Sequence, residues 1–239
     1  MAEQEVRKNL KKIVDITRSK EHSFIHKLKE ILVEILIIVF AVSITIYFHS
    51  ISEHHHEQKE VKTFLLGLKE DIKKDVSEMY DDIEAYKKQK ALFNYLSNLP
   101  DGKPANKDSI AAYQQYLFNF TSLVKEQGRY EGFKSSGKIG FIEDDDLRNR
   151  ILDLYEEDIP ILNISTDFYK TQKLKFADYL MDNANNFPNG NLMEVISKAP
   201  IKNRCKIYLS SVDNIISNYQ DCIDAGKQII SEIDEDNKH

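Results

Sequence analysis

One segment contains most of a phosphate-binding loop. Gly132, Gly137 and Lys138 in the string GFKSSGK follow the G-x-x-x-x-G-K spacing with which backbone N–H groups and a lysine hold phosphates. That chemistry also needs a Ser or Thr after the lysine as a Mg²⁺ ligand, and a buried strand before the first glycine. Ile139 occupies the hydroxyl position, and the preceding LVKEQGRYE is polar. No nucleotide is therefore expected as a ligand.

A second group of side chains, Glu53, His54, His55, His56 and Glu57, could recruit a divalent metal. Neighbouring residues of a helix point about 100° apart, so these five cannot all coordinate one ion. We interpret them as a polar collar where a helix leaves a bilayer. A metal site, or a pH sensor working near about pH 6, is the alternative.

Neither the acidic run EDDD (143–146) nor the cysteines predict a further site. Carboxylates directly before Leu147 favour a helix cap, and a calcium site is the alternative, although the glycine turn of calcium loops is missing. On one helix, Cys205 and Cys222 would lie roughly 25 Å apart, beyond disulfide reach. We expect two ordinary thiols, and no cofactor.

Composition favours a helical, non-enzymatic protein. The chain has 8 Gly and 5 Pro in 239 residues, too few for the frequent turns of a sheet protein. Its net charge of −6 argues against a nucleic-acid partner. Ser/His/Asp, Cys/His and paired-carboxylate arrangements with a recognisable spacing are missing, so no catalytic residue is predicted.

The string ILVEILIIVFAVSITIYF (31–48) predicts a transmembrane helix, with the whole membrane segment at 31–52. Eighteen residues span roughly 27 Å as a helix, close to the hydrocarbon thickness of a bilayer. A buried core helix of a soluble protein is the alternative, but no face of the segment is polar. The predicted span is marked by Ile31, Glu34, Phe40, Ile46 and Phe48.

Basic residues predict the orientation of this span. Eight Lys/Arg precede it, whereas Lys59, Lys62 and Lys69 follow it. The positive-inside rule then keeps residues 1–30 in the cytoplasm and exports 53–239. We therefore expect a single-pass protein of the inner (cytoplasmic) membrane whose C-terminal domain is periplasmic or otherwise extracytoplasmic. The basic amphipathic segment VRKNLKKIVDI should lie on the anionic leaflet, or dock to a cytoplasmic partner.

After the span, apolar residues recur in steps of three and four, which predicts a long helix over 57–98. This heptad-like stripe is either the buried face of a bundle helix or an interaction seam between copies. Its residues are Val61, Leu65, Leu68, Ile72, Val76, Met79 and Ile83.

Further helices are predicted at 110–126, 147–157, 161–186, 192–197 and 201–233. Asp108 or Ser109 should cap the first of them, Pro160 should kink the chain, and NNFPNGN (185–191) should form a turn. The predicted fold is all-α: one N-terminal transmembrane helix that continues into an elongated antiparallel helical bundle, 53–239.

Two motifs resemble those of an uncharacterised family of single-span membrane proteins, largely from Bacteroidota. One is the span EILIIVFAVSITIYFHSISE between two glutamates, with Ala41 where a glycine is common. The other is YEGFKSSGKIGFIEDDDLRNRILDLY, a K-S-S-G-K turn followed by acidic residues that open a helix. Its matching residues are Lys134, Ser135, Ser136, Gly137, Ile142, Leu147, Arg148 and Asn149.

This resemblance implies an anchored extracytoplasmic helical domain without an established activity. It also implies a structural turn that joins two bundle helices. In that turn Gly137 would adopt a positive φ, Ser135 and Ser136 would bond nearby backbone, and the aspartates, Asp145 among them, would cap the next helix.

The leading functional hypothesis is a membrane-anchored interaction or scaffold protein. Its partners would be the lipid bilayer and either a second copy or other membrane proteins. The alternative is an extracytoplasmic sensor that binds a small ligand and signals through the continuous helix to a separate partner. An enzyme of unknown type ranks third.

Overall fold

The computed structural model describes residues 2–18, 24–186 and 190–236, and these residues form helices and connections without a strand, which confirms the all-α prediction. The predicted turn at 185–191 includes residues 187–189, which lie outside the described part of the chain. The helices are α1 (Ala2–Arg18), α2 (Phe24–Ser97), α3 (Lys107–Ala111), α4 (Gly128–Ser135), α5 (Asp145–Asp153), α6 (Ile159–Asn183), α7 (Leu192–Val195) and α8 (Ala199–Asp236).

Helix α2 carries the apolar stretch in its first half. From Leu28 onward it is long and apolar enough to cross a membrane, and none of its most apolar stretch is buried within the molecule. A core helix would bury such residues, whereas Phe40 here is 68 % exposed. The apolar stretch is therefore left uncovered by the described residues of the chain.

Contacts divide the chain into two compact parts, 1–61 and 62–239, so the boundary falls inside α2. The sequence predicts different boundaries, at 30/31 and 52/53, which mark where the chain would enter and leave a membrane. Those boundaries remain predictions. In the first part, α1 places Lys12 Nζ 3.3 Å from Glu34 Oε1. Its apolar residues Leu10 and Val14 are exposed, which leaves an apolar face on a basic helix.

Three long helices form the core of the second part: α2 from residue 62, α6 and α8. Helix α6 runs in the same direction as α2, because Tyr169 Oη donates to Gln89 Oε1 at 2.6 Å and Lys173 lies over Phe93 farther along both helices. Helix α8 runs in the opposite direction. Tyr208, early in α8, packs against Phe93, whereas Tyr219 reaches back to Asp82.

The return between α2 and α5 is not the predicted helix 110–126. That prediction is wrong: α3 ends at Ala111, a 3₁₀ turn covers Gln114–Leu117, and residues 119–127 have no regular secondary structure. The cap of α3 is Asn106 rather than Asp108 or Ser109, since the Asn106 side chain accepts from both of those backbone N–H groups. We call residues 114–127 the strap.

Carboxylates on α2 explain why the second half of the strap is not helical. Asp75, Glu78 and Asp82 lie along one face of α2 and accept hydrogen bonds from successive strap residues, so the strap can satisfy donors without forming a helix. The bonds come from Glu126 N to Asp75 Oδ1 (3.0 Å), Val124 N to Glu78 Oε1 (2.9 Å) and Thr121 Oγ1 to Asp82 Oδ1.

Pro160 changes the helix around it, as predicted, but through a widened turn. A π-helical turn, Leu154–Asp158, joins α5 to α6, and Pro160 is the second residue of α6. Proline has no N–H to donate, and its ring clashes with the carbonyl four residues earlier in a regular helix. The wider turn accommodates both constraints.

Candidate functional site

The heptad-like stripe of α2 lies in the core of the molecule. Val61, Leu65, Leu68, Ile72, Met79 and Ile83 are all buried, and Val76 is partly buried. Helix α8 covers part of it: a Cβ added at Gly226 would lie 3.0 Å from Ile72 Cγ2 and 3.2 Å from Val76 Cγ2. Of the two interpretations left open by the sequence, the intramolecular one describes this structure. In this fold the stripe packs against helices of the same chain.

The K-S-S-G-K segment forms the end of α4 and a tight turn. Gly137 has φ 75° and ψ 0°, in the left-handed region that favours glycine. Ser135 Oγ donates to Gly132 O at 3.2 Å and Ser136 Oγ to Phe133 O at 2.8 Å. Because Gly132 lies inside α4, a helix precedes the turn where a phosphate-binding loop needs a strand.

The acidic residues after this turn differ in what they bind. Asp144 is the cap of α5, since its Oδ1 accepts from Leu147 N at 2.9 Å. Asp145, predicted to cap, pairs instead with Arg148 at 2.6 Å. On the other side of the turn, Lys134 Nζ lies 2.6 Å from Glu156 Oε1 and joins α4 to the π-turn. The segment therefore acts as a corner between helices.

Replacing Gly137 with alanine should lower the free energy of unfolding by about 1 kcal/mol, because a Cβ disfavours the left-handed conformation. An added Cβ would meet nothing within 4 Å, so sterics outside the residue do not contribute. Thermal unfolding followed by circular dichroism measures the change. Gly140→Ala is the matched control, since it also lies in open space but has no positive φ. An equal effect of both substitutions would contradict the conformational explanation.

The collar and the cysteines bring no metal ligands together. Glu53 to Glu57 lie on consecutive positions of α2, and His56 Nε2 is 3.7 Å from Glu60 Oε1. Within 2–18, 24–186 and 190–236, no group of three or more His, Cys, Asp or Glu side chains is placed to hold an ion. Cys205 and Cys222 are free and buried, both on α8.

A buried lysine occupies the centre of the bundle. Lys173 of α6 is 1 % exposed, and its Nζ donates to the carbonyl of Tyr116 in the strap at 2.5 Å. The ammonium group lies 5.0 Å from the ring centre of Phe93 and 6.0 Å from those of Tyr169 and Phe176. Burial lowers the pKa of Lys173 to about 7. Near neutral pH this amine is therefore partly uncharged, the form that reacts as a nucleophile.

Hydrogen bonds from tyrosines connect the same region. Asp82 accepts from Tyr219 Oη at 2.6 Å as well as from Thr121 of the strap. Tyr86 Oη donates to Thr121 O at 2.6 Å. Burial raises the pKa of both Tyr86 and Tyr219, so their hydroxyls remain protonated donors. This network ties α2, α8 and the strap together.

Asp75 is a further buried carboxylate. Burial raises the pKa of Asp75 to about 6, against the hydrogen bond from Glu126 N, which lowers it. Across from it in the π-turn, Tyr155 is buried, and its hydroxyl has no hydrogen-bond partner among the described residues. Beside the hydrogen-bonded Asp75, the Tyr155 hydroxyl is therefore a buried polar group without a partner among the described residues.

Helix α6 is apolar on its outer face as well. Ile161 and Phe168 are each 54 % exposed and Ile164 is 70 % exposed, and their spacing of three and four puts them on one side. Leu174 and Met181 are exposed too, on a different side of α6. Phe120 of the strap lies 5.1 Å from Lys170 Nζ, also away from this face. We call Ile161, Ile164 and Phe168 the outer stripe.

Sequence reasoning missed both faces of α6, although the pattern contains them. The buried positions recur in steps of three and four, and one of them is a lysine: Ile159, Leu162, Thr166, Tyr169, Lys173, Phe176 and Leu180. The outer stripe follows the same steps two positions later. A helix with two apolar faces is typical of one that packs on both sides.

Residues 34–209 match the model of a family described as "Family of unknown function (DUF6090)". The matched range includes the apolar stretch, the turn at Gly137, Lys173 and the outer stripe. No curated protein and no solved structure matches the chain.

Proposed function

Because the chain belongs to the DUF6090 family of unknown function, which supplies no activity, we propose from its structure that it is a membrane-anchored scaffold protein. In this proposal the apolar first half of α2 inserts in a bilayer, and the helical domain binds a second copy of itself. The observation that carries the proposal is the outer stripe of α6.

The outer stripe has the properties of a contact surface. Large apolar side chains clustered on one exposed face are usual where another protein binds. Ile161, Ile164 and Phe168 are exposed although α6 already buries its opposite face in the core. Exposed apolar residues do not stabilise an isolated bundle, so their clustering on one face favours a partner.

Heptad spacing favours a second copy as that partner. Ile161, Ile164, Phe168 and Thr171 follow steps of three, four and three, the pattern by which like residues of two helices meet side by side. All four side chains are uncharged, so no like charges would meet along this length. The next positions in the pattern, Lys175 and Asp178, are charged, which would end the contact after about three turns.

The membrane anchor determines on which side of the bilayer this contact would form. The excess of basic residues before the span supports a cytoplasmic N-terminus, and therefore an extracytoplasmic helical domain at the inner membrane. The resemblance to a Bacteroidota family of single-span proteins supports the same topology. Copies held in one bilayer also meet at a high effective concentration, so a short contact can suffice.

An Ile164→Cys variant should form covalent dimers in intact membranes when treated with a bis-maleimide reagent, because equivalent residues of the outer stripe face each other across the proposed contact. Gel electrophoresis measures the dimer fraction. The native Cys205 and Cys222 are buried, which limits background. Adding Phe168→Glu should reduce the dimer fraction at least tenfold, since a charge would then lie within the apolar contact.

Ile207→Cys is the control for this experiment. Ile207, on α8, is an isolated apolar side chain whose exposed fraction is similar to that of Ile164. The Ile207→Cys variant should therefore remain monomeric under the same treatment. Monomer from Ile164→Cys would exclude the self-association. A covalent product with a different membrane protein would keep the scaffold role but replace the second copy with that partner.

The sensor alternative has one supporting observation, the amine of Lys173 among aromatic rings. Such a site suits a small ligand with an anionic group and an apolar body. A thermal-shift screen of small carboxylates against the full chain would test it, with the Lys173→Met variant as the control for site specificity.

A further inference from the structure

We propose that the strap, residues 114–127, is a lid that opens as a unit and controls access to Lys173, while the three long helices stay packed. This inference is independent of the scaffold role and concerns the opposite, inner face of α6. Three observations support it. The strap is attached to α2 through side-chain hydrogen bonds, it covers the amine of Lys173, and only two of its apolar side chains are buried.

The strap is attached to α2 through side chains. Three of its donors, in residues 121, 124 and 126, bond to the carboxylates of Asp82, Glu78 and Asp75, at successive positions of one helix face. Bonds of this kind can break without opening the backbone hydrogen bonds of α2. The strap can therefore leave while the helix beneath it remains intact.

The strap covers the buried amine directly. Tyr116 O is the acceptor for Lys173 Nζ, and Thr121 O is the acceptor for Tyr86 Oη. Both acceptors are strap carbonyls, and both donors belong to the bundle core. When the strap lifts, the amine loses its hydrogen-bond acceptor and its cover in the same movement.

Two apolar side chains of the strap are buried, Leu117 and Leu123. Tyr116 and Phe118 are half-buried, whereas Val124 is 76 % exposed and Phe120 is at the surface. In the helices around it, by contrast, one residue in each three or four points into the core. Segments with few buried apolar contacts open at lower free energy than the core.

Native-state hydrogen exchange on the full chain in mild detergent, read by mass spectrometry, tests whether the strap opens alone. Peptides covering residues 118–126 should exchange at least tenfold faster than peptides of α8. In parallel, a short pulse of acetic anhydride should acetylate Lys173 only in molecules whose strap is open, since the reagent acylates accessible uncharged amines.

Two variants loosen the strap from different sides. Glu78→Ala removes the acceptor of Val124 N, and Leu123→Ala removes an apolar anchor. Each should raise both the exchange of the strap and the acetylation of Lys173 roughly tenfold, the change expected for one lost hydrogen bond or for part of a buried side chain. Glu84→Ala is the matched control, because Glu84 is exposed on α2 and forms its salt bridge with Lys87 of the same helix.

Two results would overturn the proposal. If strap exchange rises but acetylation of Lys173 does not, the strap does not control access to the amine. If the strap and α8 exchange at the same rate in the unmodified protein, the strap opens only when the whole bundle unfolds. The second result needs no variant, so a variant that failed to fold would leave the test intact.

Discussion

The Lys173→Met variant is expected to be more stable than the wild type by about 2 kcal/mol at pH 6, and this advantage should disappear by about pH 10. Lowering the pKa of Lys173 to about 7 corresponds to roughly 5 kcal/mol against folding when the amine is charged. Methionine removes that cost and has a similar shape, but leaves Tyr116 O without a donor, which costs about 1–3 kcal/mol.

The pH dependence follows from which state binds the proton. Between about pH 7 and pH 10.5 the unfolded chain holds a proton on Lys173 that the folded chain has lost. The free energy of unfolding of the wild type therefore rises through this range, by up to about 1.4 kcal/mol per pH unit from this group. Below pH 7 both states are protonated, and the whole cost of burying the charge remains.

Chemical unfolding of both proteins at pH 6, 8 and 10, followed by circular dichroism, measures the difference. Other titrating groups cancel between wild type and variant. Lys170→Met is the control, since Lys170 is an exposed lysine of the same helix and should show no such trend. A variant less stable than the wild type at pH 6 would mean that the aromatic rings stabilise the ammonium by more than its burial costs.

Local patterns predicted most of the helices. Periodicity over 57–98, 161–186 and 201–233 corresponds to α2, α6 and α8, because each carries a mainly apolar face in steps of three and four. The apolar stretch before Phe48 was equally visible. These signals are strong because they depend on residues three and four apart in one segment, and need no knowledge of the partner segment.

The strap could not be predicted in this way. Residues 110–126 contain good helix formers, and nothing within the segment ends a helix early. Its non-helical form depends on Asp75, Glu78 and Asp82, which are about 40 to 50 residues away in sequence and come close only after α2 has packed. Tertiary hydrogen bonds then outweigh the local propensity.

The sequence could not identify the candidate sites for a related reason. A stripe such as that of α2 has the same spacing whether it faces its own bundle or another chain. Only the position of α8, with Gly226 against Ile72 and Val76, decides the matter. Conversely α6 has two apolar faces, and the aromatic residues beside Lys173 determine that the face with the lysine is the inner one.

Helix α6 therefore has two unusual faces. Its inner face contributes a polar group to a core that could have been wholly apolar, and its outer face exposes side chains that could have been buried. A buried amine and exposed apolar side chains are both unfavourable for the stability of an isolated bundle. We infer that stability alone does not account for this helix, and that the contact at the outer stripe and the amine at the inner face are where function should be sought.

Replacing Asp82 with alanine should lower the free energy of unfolding by about 3 kcal/mol. Asp82 is buried and accepts from the hydroxyls of Tyr219 and Thr121, so its loss leaves two donors without an acceptor. Each such donor costs about 1–3 kcal/mol when buried. Because Tyr219 belongs to α8 and Thr121 to the strap, both should lose order at once.

A double-mutant cycle with Tyr219→Phe separates the bond from the packing. Phenylalanine keeps the ring but removes the hydroxyl, so the Asp82→Ala substitution should cost about 1–2 kcal/mol less in that background. Asp81→Ala is the matched control, since Asp81 is the exposed neighbour on the same helix and should change stability by less than about 0.5 kcal/mol. Equal costs of Asp82→Ala in both backgrounds would show that the Tyr219 hydroxyl contributes nothing, and that the strap bond alone accounts for the role of Asp82.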